Sequence, residues 1–291
     1  MHNLIHHNRG HLAGVPRRVT GVCVSSAMGC VLLSLAGCGT PLSANGPLRP
    51  APTARPAPPT AAGPIAVQKA APASAAPLAA ERFTANTARE LVYDAAGGER
   101  SGTTIVLQDA LPDCHCAGRS WWVRYYDGAK TGEPFREVHL TIDASGYIAQ
   151  IEEIDRLDGV EVVYSPALVL VPDRLPAKAS GDAAYEQEVR MVVHPLGDRS
   201  RVRTHGTATN RITFEGDERI VTGVGTFRAH RLTSVVTASL TVANTVSVSE
   251  QWLVDGIGVV VQRDREETRV MGAKVRDNAS TMILRSFDAA R

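Results

Sequence analysis

The stretch "VTASLTVANTVSVS", Val236 to Ser249, alternates almost without a break: Val236, Ala238, Leu240, Val242, Val246 and Val248 share one parity, while Thr237, Ser239, Thr241, Thr245, Ser247 and Ser249 share the other. Only Asn244 interrupts the apolar set. A side-chain period of two is the signature of a strand, whose successive residues point to opposite faces. The run is long for one strand, so a turn is expected near Ala243-Asn244, and the sheet is expected to carry one greasy and one hydroxyl-rich face.

The same device recurs on either side. "EVHLTID", Ala144-Ser145-Gly146 and "YIAQIEEID" read as strand, tight turn and strand, and "RITFE", Gly216-Asp217 and "ERIVT" read as a second hairpin. "DAAYEQEVRMVV" comes closest to a helical period and can be read either way, and nothing else sustains one. The expected fold is all-β: an antiparallel curved sheet or half-barrel of about a dozen strands. An outer-membrane barrel would also alternate, but the charged strand "VQRDREETRV" and the scarcity of aromatics leave no lipid-facing band.

Ahead of this domain the composition changes twice. Residues 39–80 hold 14 Ala and 10 Pro with no Asp or Glu, a composition that blocks both helix and sheet ladders and predicts a disordered, polyproline-like tether. The N-terminal stretch has Arg9, Arg17 and Arg18, then an apolar run from Val22 to Ala36, then small residues. That run is too short to span a bilayer and has the build of a secretory signal. The expected division is therefore a leader over 1–37, a linker over 38–80 and a β domain over 81–291.

Leu35-Ala36-Gly37-Cys38 resembles the lipobox of bacterial lipoproteins. The resemblance implies acylation of Cys38, cleavage before it and anchoring in a membrane, the outer membrane being favoured because Gly39, not aspartate, follows the cysteine. Two motifs in the β domain, Gly225-Thr226-Phe227 and Trp252-x-x-x-Gly256-x-Gly258-x-Val260, resemble a pair found in exported bacterial β-rich proteins of unknown function. That likeness implies a curved antiparallel sheet whose concavity holds an acyl chain or another protein. Taken by itself, Asp255-Gly256 offers a hairpin turn and Gly258 a bulge or a close backbone approach. A phosphate loop is excluded there because β-branched strand sequence follows.

All 30 acidic residues lie from Glu81 onward with 25 of the 31 Lys and Arg, so this part carries a net −5 and gives no footprint for nucleic acid. No nucleophile elbow, metalloprotease helix or nucleotide loop is present in the sequence, which points to binding or scaffolding and not to catalysis, without a cofactor. The alternatives are a periplasmic carrier of a hydrophobic ligand and, behind it, an enzyme or redox protein. Expected partners are the membrane through the lipid, and an envelope polysaccharide, lipid or envelope protein.

Two constellations carry chemistry. In "PDCHCAG", Cys114 and Cys116 are candidates for a disulfide, inert thiols or a labile redox pair, and with His115 they are the weaker candidate for a metal site. Across "HPLGDR", a hairpin that sets His194 opposite Arg199 gathers Arg190, His194, Arg199, Arg201, Arg203 and His205 on one face, with Glu186 and Glu188 at its far end. Like charges opposite one another require either acids from a neighbouring strand or a bound anion.

Overall fold

The structure, a computed structural model, describes residues 66–68, 77–84, 89–97, 101–109, 119–128, 132–178 and 183–288. The leader, Cys38, most of the linker, and Cys114, His115 and Cys116 lie outside the described residues.

Among the described residues the chain is built of antiparallel strands, with a short 3-10 turn at Ala80–Phe83. In chain order the strands are β1 (Ala66–Gln68), β2 (Arg89–Gly97), β3 (Gly102–Gln108), β4 (Arg119–Asp127), β5 (Arg136–Ile142), β6 (Ile148–Asp155), β7 (Val160–Val171), β8 (Tyr185–Pro195), β9 (Thr204–Thr222), β10 (Gly225–Leu240), β11 (Ala243–Val254), β12 (Gly258–Val270) and β13 (Ala273–Phe287). Strands β2 to β13 pair in sequence order, β13 returns to β2, and β8 pairs β9. The all-β antiparallel sheet of about a dozen strands expected from the alternation thus closes on itself into a barrel of twelve strands, and closure removes the open edges that a half-barrel would have to protect. The long β9 holds β8 along Thr204–Ile212 and the short β1 along Arg219–Val221 on the same side.

Two sequence expectations change and one open reading is resolved. The turn of the opening stretch falls at Thr241–Val242, two residues early, and it reverses parity: Val236 pairs Ser247, Ala238 pairs Thr245 and Ser234 pairs Ser249. No face is purely greasy or purely hydroxylic, because a hairpin of this length sets even-numbered residues of one strand beside odd-numbered residues of the next. Gly216-Asp217 is not a turn; β9 runs straight through, with a bulge where Leu232 pairs Phe214 and Arg231 pairs Gly216. A bulge absorbs one extra residue without reversing the strand, and Gly216, at φ 113°, takes the backbone conformation this needs. The ambiguous segment "DAAYEQEVRMVV" is a strand from Tyr185 onward, because its apolar residues Val189, Met191 and Val193 face one way at period two and are buried.

The packed domain also starts earlier than residue 81. Leu78 and Ala80 are buried with Phe83 in the main core. Leu78 exchanges backbone hydrogen bonds with Arg174 and Leu175 after β7, and the Ala80 N–H donates to Asp173 Oδ1 at 3.1 Å. At the other end of this segment the Gly256 N–H donates to the Arg82 carbonyl at 2.9 Å, while Arg82 pairs with Asp255 at 3.3 Å. The segment therefore straps the end of β7 to the β11–β12 turn. Proline density upstream marks poor ladder formation, but it does not say where the first apolar anchor, Leu78, begins to pack.

Candidate functional site

The closed sheet gives the protein an interior, and the site is what that interior holds. Val123 and Tyr125 of β4, Arg136, Val138 and Leu140 of β5, and Gln150 of β6 face Ser234 of β10, Ser249 and Gln251 of β11 and Gln262 of β12 across one space. These strands lie on different sides of the ring, so the space is the barrel lumen. Its unfilled volume is about 560 Å³ counting the part open to solvent, within which the centre of a water-sized group has about 90 Å³ to move.

One wall is apolar, built by Val123, Val138, Leu140 and Leu170. The other is built by hydroxyls and amides, because β11 and β12 turn their polar parity inward. Thr245, Ser247 and Ser249 are buried beside their cross-strand partners Thr268, Glu266 and Asp264, while Val246 is 43% exposed. The charged strand foreseen in "VQRDREETRV" divides the same way. Gln262, Asp264, Glu266 and Thr268 are buried, and Arg263, Arg265 and Arg269 lie on the outer face, exposed.

Charges inside this barrel are held by one another. The Arg136 Nε–H donates to Glu153 Oε1 at 2.6 Å, and Gln150 Nε2 donates to the second Glu153 oxygen at 3.0 Å. Burial would lower the Arg136 pKa, but Glu153 and, further down, Asp155 raise it well above the ordinary guanidinium value. Burial likewise pushes the Glu153 carboxyl up against the pull of Arg136. Across the lumen, Gln262 Nε2 donates to Asp264 at 2.9 Å. The Arg136 guanidinium lies 5.5 Å from the centre of the Tyr125 ring, whose hydroxyl burial pushes up.

One polar group here has no partner. The Ser249 Oγ is buried in a residue only 1% exposed and makes no hydrogen bond, although Ser234 beside it donates to Asn210 Oδ1 at 2.8 Å. Sequence reading missed this whole set, because Gln150, Ser249 and Gln262 look like the solvated parity of amphipathic strands. The one available signal was that "VQRDREETRV" places charged or amide side chains on both parities, three on one and four on the other, so that whichever face turns inward must bury some of them.

The basic hairpin is rebuilt. Val189 pairs Ala208, Arg190 pairs Thr207 and Val193 pairs Thr204, four residues out of the register that set His194 opposite Arg199. Residues 196–203 form a loop in consequence. Arg199 folds back over the outer face of β6 and β7, where its Nε–H donates to Glu161 at 2.6 Å and its NH2 group to Glu152 at 2.7 Å. The Gly197 N–H joins them on Glu161 at 3.1 Å. Burial opposes ionisation of Glu161, but Arg199 and that N–H hold its carboxyl below the ordinary glutamate value. Neighbouring acids, the first of the two solutions posed by the sequence, answer Arg199. His194 Nδ1 donates to the Arg201 carbonyl at 2.7 Å, and Arg203 reaches the Asp158 carbonyl at 3.4 Å. Arg190, Arg201, Arg203 and His205 are exposed, so Arg190 and His205 stay with the loop residues on the outer surface without forming the continuous stripe that the tighter hairpin would give.

The tryptophan motif is structural. Trp252 is buried, its Nε1–H donates to Glu218 at 2.8 Å, and the guanidinium groups of Arg231 and Arg263 lie 5.4 Å and 5.2 Å from its ring. Gly256, at φ 73°, forms the turn that Asp255-Gly256 predicts, whereas Gly258 pairs Val254 in register and the bulge falls at Val260, passed over where the register shifts between Trp252 and Leu253.

No family model matches this chain, and no curated protein is similar to it. Among solved structures, a candidate lipoprotein from Parabacteroides distasonis ATCC 8503 is similar at a TM-score of 0.46 and 12% identity over 71% of this chain and 98% of that one. A candidate exported protein with a YmcC-like fold from Bacteroides fragilis NCTC 9343 is similar at a TM-score of 0.42 and 11% identity, covering 74% of this chain and 100% of its own.

Proposed function

We propose that this chain is a lipid-anchored protein of the bacterial cell envelope, in the outer membrane, whose β-barrel binds a small molecule in its lumen without transforming it. The observation that carries the binding reading is the two-sided lumen, an apolar wall facing a hydroxyl and amide wall around unfilled space, the composition expected of a ligand pocket. Support for the anchor comes from the leader and from Leu35-Ala36-Gly37-Cys38. Against catalysis stands the mutual engagement of Arg136 with Glu153 and of Gln262 with Asp264, which leaves these groups holding the barrel interior and not a reacting atom. A carrier for a long hydrophobic molecule is favoured by the apolar wall alone.

The test compares native masses of the full-length protein extracted from its own membranes, as wild type and as Leu140→Trp. A small-molecule mass adduct on the wild type that the indole displaces is the expected result, and equal spectra would end the lumen reading. The anchor is tested separately: Cys38→Ser is expected to leave the membrane fraction, and a variant that stays there at the mature mass would refute lipidation.

A further inference from the structure

We infer that the lumen recognises an uncharged hydrogen-bonding group, a hydroxyl or an amide, carried on a short apolar stem. This rests on the lumen being the binding site. Ser249 provides the first argument: a buried hydroxyl without a partner is a rarity that a ligand or a water explains, and this one lines the unfilled space. The second argument concerns what its neighbours have left to offer. A carboxylate only accepts hydrogen bonds, so Gln150 and Gln262 turn Nε2 donors to Glu153 and Asp264, and what remains for a guest is their carbonyl oxygens and the second Nε2 proton of Gln150. A guest therefore meets groups that both accept and donate, the Ser249 hydroxyl and the Gln251 amide among them.

Charge narrows the class further. Arg136 is the one guanidinium lining the space, and Glu153 and Asp155, both buried, already surround it. With Asp264 also buried behind Gln262, an anionic guest would add a charge to an interior that already holds more acids than bases. A cation would find no carboxylate lining the space and would lose its hydration without a partner. The apolar stem follows from Val123, Val138, Leu140 and Leu170 opposite.

The experiment titrates full-length protein in lipid nanodiscs with three probes of one size, butan-1-ol, butanoate and butylammonium, following the side-chain amide signals of Gln251 and Gln262. Butan-1-ol is expected to shift both signals saturably and to bind about tenfold more tightly than either ion, the worth of one well-made hydrogen bond. Ser249→Ala should lose roughly two- to tenfold of the alcohol affinity, while its melting temperature stays the same or rises, since deleting an unsatisfied buried hydroxyl removes a penalty. An ion that matches the alcohol, an unchanged alcohol affinity in Ser249→Ala, or no saturable shift with any probe would overturn the inference. Leu140→Trp and Leu170→Phe separate the two claims. Alcohol binding that persists in both would sink the lumen site itself. An ion preferred by wild type and excluded by either variant would leave the site standing and reject only the uncharged class.

Discussion

Strands β8 and β11 alternate equally well, yet they present opposite chemistry to the inside of the barrel. In β8 the buried parity is Val189, Met191 and Val193, with Glu186, Glu188 and Arg190 exposed. In β11 the buried parity is Thr245, Ser247 and Ser249, with Val246 exposed. The neighbours decide the difference. Strand β8 lies against Val160, Val162 and Tyr164 of β7 in a small apolar cluster, whereas β11 lies against Asp264, Glu266 and Thr268 of β12, which need polar company. Burial of a hydroxyl is tolerable where it is hydrogen-bonded, as Thr245 is to Thr268 at 3.0 Å. The lesson is that a period of two identifies a strand but not which of its faces is the interior.

The comparison breaks most violently if the polar interior is only a tolerated accident. Arg136→Met leaves Glu153 buried and unpaired and is expected to cost about 3–5 kcal/mol, while Arg136→Met with Glu153→Met should recover most of it. Urea denaturation of both variants measures this, and a single variant as stable as wild type would show that the pair does not organise the lumen. A smaller effect sharpens the contrast between the two strands. Val193→Ala, at a position with no exposure, should lose about 2 kcal/mol, and Val246→Ala, at 43% exposure, should stay within about 0.5 kcal/mol of wild type. The reverse order would mean that β11 turns its valines inward.

The smallest expected effect concerns the outer face. Because the folded-state pKa of Glu161 is depressed, its pair with Arg199 contributes stability above the ordinary glutamate pKa, and that contribution disappears as the pH falls through the depressed value. Arg199 is more than half exposed, so the contribution is modest. Wild type should therefore be slightly more stable than Arg199→Gln at neutral pH, and the two should converge in acid. A gap that persists or widens at low pH would show that Arg199 acts through packing and not through the ion pair.

Much of the fold was legible. Hairpin β5–β6 turns where Ala144-Ser145-Gly146 predicts, with Asp143 Oδ1 accepting from the Ser145 and Tyr147 N–H groups. Local chemistry suffices there, because the turn residues satisfy their own backbone. The β8–β9 connection was not legible: Pro195-Leu196-Gly197-Asp198 is an adequate turn, but Gly197 and Arg199 are drawn to Glu161, and Glu161 is remote in sequence. Gly216-Asp217 failed for a related reason, since a turn and a bulge share a glycine and only the length of the facing β10 distinguishes them.

Residue order alone determined that this is a chain of antiparallel strands behind a proline-rich stretch, because side-chain period and proline content are local properties. Tertiary structure decided that the sheet closes, that its hydroxyl and amide parity turns inward over β11 and β12, and that Ser249 is left without a partner inside. Those outcomes depend on which strand lies beside which, and a one-residue change of register exchanges the two faces of a strand.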